Sequence, residues 1–101
     1  PWNPLGNGNM LDVVTMGVYI AHLMGYHQLQ DAFNYVTYNG AKTMHISDQY
    51  GIEVGKPANC ILLNAADFYN ALNKHVEVLY NIRHGKILAE TKPAETKINL
   101  K

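Results

Sequence analysis

Met10, Val13, Val14, Gly17, Ile20, Ala21 and Met24 recur at the i, i+3, i+4, i+7 spacing of one helix face. Asn7 or Asn9 stands ahead of them as a candidate N-cap, and Gly25 follows as a left-handed stop. Gly17 inside this helix costs about 1 kcal/mol against Ala, so a close approach of another backbone is expected there. A second helix is predicted over Gln28–Thr37, with Leu29, Ala32, Phe33 and Val36 inward. Asn39 can cap a third, short helix over Gly40–His45, with Ala41 and Met44 inward. Stripes this narrow do not enclose a core among themselves. The helices are expected to form a layer that lies on something else.

The pattern changes at Gly51. Gly51 and Gly55 flank Ile52-Glu53-Val54, and Lys56-Pro57 follows, which marks a tight reversal because Gly tolerates positive φ and Pro fixes its own. Cys60 to Leu63 is short, uncharged and closed by Asn64, and predicts a strand buried on both faces. Asp67 can cap a brief helix through Leu72, with Phe68 and Leu72 on one side. Val76 to His84 then alternates, with Val76, Val78, Tyr80 and Ile82 on one face, although Leu79 breaks the alternation. His84-Gly85 predicts a two-residue turn, with Lys86–Glu90 returning as the partner strand. Thr91–Thr96 is a polar linker containing Pro93, and Ile98 with Leu100 suggests a last edge strand. The stretch before the first helix, Pro1 to Asn9, is rich in Pro, Gly and Asn and should be irregular. The fold class is thus α+β, with helices first and a small antiparallel sheet after.

Composition narrows the function. A chain of 101 residues is one domain at most and buries roughly two thirds of the surface its unfolded form exposes. Lys plus Arg and Asp plus Glu each number 8, so net charge provides no attraction for nucleic acid or for an anionic membrane. No stretch approaches the ~18 apolar residues of a membrane span, and no basic-then-apolar leader is present. Cys60 is the only cysteine and sits in the most apolar run, where a small core residue is the simple account; a cytoplasmic setting fits.

Candidate chemistry is sparse. Gly6-Asn7-Gly8 precedes a helix, but no strand leads into it and no Lys-Ser or Lys-Thr follows, so it reads as an entry loop. His22, His27, His45, His75 and His84 form neither a His-x-His pair nor a His-Glu-x-x-His helix, and each fits a helix end, a turn or a polar face. Asp12, Asp31 and Asp67 sit at helix starts, where negative charge is favourable, and Glu53, Glu77 and Glu90 have no partner by sequence. No Gly-x-Ser-x-Gly elbow occurs. No residue of this chain is therefore assigned a catalytic or metal-binding role.

Gly51-Ile52, Gly55 and Ala58-Asn59-Cys60-Ile61-Leu62-Leu63 together resemble the segment with which amidohydrolase-superfamily enzymes leave their (β/α)8 barrel for a small flanking β domain. Most members would have Asp where this chain has Asn59. Asn59, with Pro1-Trp2-Asn3-Pro4-Leu5-Gly6, Asn9-Met10-Leu11, Met24-Gly25-Tyr26 and His84-Gly85-Lys86-Ile87-Leu88-Ala89, resembles the cytosine deaminase branch. The resemblance implies the C-terminal part of such an enzyme. Residues 1–50 would end the barrel and residues 51–101 would be the C-terminal part of the flanking β-sandwich. It implies hydrolysis of cytosine to uracil and ammonia, or the corresponding reaction of a related base. A divalent metal, iron or zinc, would be held upstream of this chain. Partners implied are the remainder of the polypeptide and further copies in a homo-oligomer. Trp2, the only tryptophan, is either a packing anchor for its loop or, as the resemblance implies, a wall of the substrate pocket. Two other readings stand beside the enzyme: a catalytically silent scaffold or interaction module of the same superfamily, and an independent small binding domain.

Overall fold

A computed structural model describes residues 5–101. Trp2 lies outside the described residues. The elements in chain order are α1 (Met10–Ile20), α2 (Tyr26–Tyr35), α3 (Tyr38–Thr43), β1 (Cys60–Leu63), α4 (Phe68–Asn73), β2 (Val78–Arg83) and β3 (Lys86–Glu90). None of the described helices is long and apolar enough to cross a membrane.

Two of the expected N-caps form, at Asn9 and Asp67; Asn39 caps nothing, because α3 already begins at Tyr38, with Thr37 at its N-cap and no side-chain bond there. Asn9 Oδ1 accepts from the Leu11 amide at 3.0 Å, and Asn7 Oδ1 in turn holds the Asn9 amide at 2.9 Å. Asp67 caps α4 by accepting from the Asn70 amide at 2.7 Å. Each satisfies one of the amides a helix start leaves without an intrahelical partner.

The helix ends differ from expectation. Gly25 does not stop α1; it opens α2, its amide donating to Gln28 Oε1 at 3.0 Å. The left-handed residue after α1 is His22, with φ 54°. His22 donates to the Tyr19 carbonyl at 3.2 Å and Leu23 to the Val18 carbonyl at 2.9 Å, the pair of bonds that closes a Schellman end. The same device ends α3, where His45 has φ 58° and Ile46 donates to Ala41 at 3.0 Å. It ends α4 too, where His75 has φ 49° and Val76 donates to Ala71 at 3.2 Å. Histidine is among the few side chains that enter this region with any frequency.

The core joins Val14 and Val18 of α1, Ala32 of α2 and Leu72 of α4, with Leu11, Leu23, Leu29, Val36 and Phe68 packed around them. Leu29, Ala32 and Val36 face inward as predicted, and so do Phe68 and Leu72. Phe33 is half-exposed, its ring meeting Phe68 edge-on at 5.2 Å. Ala41 is buried, but Met44, expected inward, lies at the C-cap of α3 outside the core cluster and is exposed. On α1 only Val14 of the predicted stripe is buried. Met10, Val13 and Ile20 are exposed, because α2 and α4 pack on the neighbouring Leu11-Val14-Val18 side. A Cβ added to Gly17 would meet nothing within 4 Å, so the close neighbour expected there is absent among the described residues.

The sheet is three-stranded and antiparallel, in the order β1-β2-β3. His84 and Gly85 carry φ 49° and 73°, which is how a two-residue turn matches the twist of the strands it joins. Cys60 opposes Ile82, and Arg83 opposes Lys86. The β1–β2 ladder slips at Leu62/Leu63 and passes over Leu79, which accounts for the broken alternation there, and the β2–β3 ladder slips at Asn81/Ile82 and passes over Leu88. The β1 run is a strand, but it is not buried on both faces: Ile61 is 46% exposed and Leu62 50%. An apolar run specifies a covered strand, and no described element covers it. No last strand forms at Ile98 and Leu100, which are exposed in an extended tail. Pro93 removes a ladder donor, and a strand without a paired neighbour does not hold.

Candidate functional site

The reversal at Gly51 is built as its residues require. Gly51 and Gly55 take φ 115° and 91°. Lys56 fastens the loop, its Nζ donating to the Tyr50 carbonyl at 2.7 Å and the Ser47 carbonyl at 3.4 Å, with Glu53 Oε1 at 3.3 Å. The chain then meets the sheet hairpin. Asn59 Oδ1 accepts from the His84 amide at 2.8 Å, and Gly85 donates to the Ala58 carbonyl at 3.0 Å. The seam is therefore stitched on both sides by neutral or charge-assisted hydrogen bonds, and none of its polar groups is aimed into a cleft.

The titratable side chains do not converge. Burial pushes the Tyr50 hydroxyl above the ordinary tyrosine range, with Tyr38 adding to it across a ring contact of 5.8 Å. The Glu90 carboxylate beside Tyr80 raises that hydroxyl as well, and it accepts its hydrogen bond at 3.2 Å. Both effects keep a tyrosine neutral. Cys60 is a free, half-buried thiol in β1. Among the described residues no group of His, Cys, Asp and Glu comes together that could hold a metal ion. Pro1-Trp2-Asn3-Pro4 contributes no side chain of those types.

A shallow depression of about 340 Å³ lies along α1, lined by Asp12, Thr15, Met16, Tyr19, Ile20 and His75. The Thr15 hydroxyl donates to the Leu11 carbonyl at 2.9 Å, so it is already engaged with its own helix. The lining suits an apolar side chain better than a polar substrate. It adjoins the open side of α1, where Met10, Val13 and Ile20 stand exposed, Ile20 by 73%. Asp12 is the single charged residue of α1. A helix apolar nearly all round is one made to be covered on more than one side. The described chain covers one side of it. The arrangement fits packing and docking, and no chemical step can be built from the described residues alone.

His22, His45 and His75 hold left-handed backbone at helix ends and His84 does so in the hairpin turn, whereas His27 lies in the first turn of α2. An apolar residue follows each of the three at helix ends, Leu23, Ile46 and Val76, a feature that often accompanies a Schellman end but does not by itself specify one.

The Amidohydrolase family profile matches residues 1–89. This chain belongs to the amidohydrolase family. A curated amidohydrolase relative, N-isopropylammelide isopropyl amidohydrolase of Pseudomonas sp. strain ADP, is 30% identical over 89 residues, covering 88% of this chain and 22% of that protein. Among solved structures, 5-methylcytosine deaminase from Klebsiella pneumoniae liganded with 5-fluorocytosine superposes with a TM-score of 0.89 at 39% identity, covering 97% of this amidohydrolase chain and 24% of that one. The same enzyme liganded with phosphonocytosine gives a TM-score of 0.88 at the same identity and coverage. The chain thus spans about a quarter of the length of the proteins it matches. Within that span the arrangement of α1 to β3 is shared with a deaminase of known structure.

Proposed function

We propose that this chain is the C-terminal part of a cytosine deaminase-type aminohydrolase acting on cytosine or a close relative such as 5-methylcytosine. The similarity to 5-methylcytosine deaminase along 97% of the chain is the observation that carries this reading. The reaction adds water at the ring carbon bearing the amino group, breaks that C–N bond and releases ammonia, leaving a ring carbonyl. Amidohydrolases are generally metal-dependent, and the described residues do not fit a metal. The iron or zinc centre is accordingly assigned to polypeptide outside this chain, and no step is derived through it here. In this reading residues 1–50 end the (β/α)8 barrel and residues 51–101 complete a flanking β domain. Active sites of such barrels lie on the loops at the strand C-terminal ends, and residues 1–9 would form the last of these loops, with Trp2 against the substrate. Assembly as a homo-oligomer in the cytoplasm belongs to the same proposal.

The test uses the whole polypeptide that carries this chain, assayed for ammonia release from cytosine and 5-methylcytosine and for amine release from N-isopropylammelide. Ammonia from the pyrimidines, abolished by chelation and restored by iron or zinc, is the expected result. Turnover of N-isopropylammelide alone would move the chain to another branch of the family. Silence on every substrate in the metal-loaded protein would leave the scaffold reading.

A further inference from the structure

We draw no further inference here: the strongest candidate, the apolar face of α1 formed by Met10, Val13, Met16 and Ile20 with the depression beside His75, belongs to the docking surface already described, and nothing in the structure shows what else covers it.

Discussion

Asn59 accepts the His84 amide at 2.8 Å and so ties the hairpin turn to the chain that enters β1. An Asp carboxylate at this position would accept the same bond, so the choice of Asn over Asp is not dictated by this contact. Asn59→Ala should cost about 1 kcal/mol, the low end for a lost hydrogen bond because water can reach the freed amide, whereas Asn59→Asp should leave stability nearly unchanged. Urea midpoints of the unaltered protein and both variants, each made as the complete polypeptide, check it, and an Asp variant as weak as the Ala variant would refute the acceptor role. Trp2 is a different case. Its type and its place ahead of the first helix are legible, but only the family resemblance gives it a pocket. If the proposed deaminase function holds and Trp2 walls its pocket, Trp2→Ala in the whole polypeptide should lower kcat/KM about tenfold or more while moving the thermal midpoint little. Equal loss of both would leave Trp2 as a packing anchor. The histidines teach the complementary lesson at this scale. Their spacing excluded the common metal motifs, yet their left-handed backbone is set by the hydrogen bonds of each helix end, which no side-chain pattern states directly.

Among the elements, what could be read early is what is encoded locally. The Asn9 and Asp67 caps and the His84-Gly85 turn each need only a few adjacent residues, and each formed where predicted. What could not be read is a choice between equivalent surfaces. Apolar residues ring α1, so periodicity selected Met10-Val13-Ile20 as inward, while α2 and α4 settled on Leu11-Val14-Val18. The β1 run shows the same limit, since hydrophobicity describes a strand that should be covered without saying by what. If the open side of α1 docks onto the rest of the enzyme, both sides must matter in the complete polypeptide. Val18→Ala, at a residue 3% exposed, should cost about 2 kcal/mol from two lost methyl groups and the space they leave. Ile20→Lys should cost more than that, because an unpaired ammonium would be buried. Denaturant unfolding of the complete protein decides the matter. A change within about 0.5 kcal/mol for Ile20→Lys, the ordinary value for a surface position, would mean that this face stays in water.

At the scale of the molecule, surface area is the telling quantity. A folded monomer of 11.3 kDa should expose about 5,700 Å². This chain exposes 8542 Å², roughly half as much again. Its radius of gyration of 15.6 Å likewise exceeds the about 13 Å expected of a compact domain of this length. Part of the excess is apolar, on the open side of α1, at Ile61 and Leu62 of β1 and at Ile87 and Leu88 of β3, and the exposed stretch 91–101 adds to it. The buried core around Val14, Val18, Ala32 and Leu72 is small by comparison, and chain entropy of about 1–2 kcal/mol per residue opposes it. The 101 residues produced by themselves should therefore bind a hydrophobic dye and self-associate, and should unfold without a sharp cooperative transition. If the proposed reading holds, adding the separately produced rest of the polypeptide should remove dye binding as the two parts combine. Gel filtration with dye fluorescence measures both effects. A dye-silent monomer that unfolds cooperatively would show that the helical layer is already covered within these residues, and the docking interpretation of α1 would fail with it.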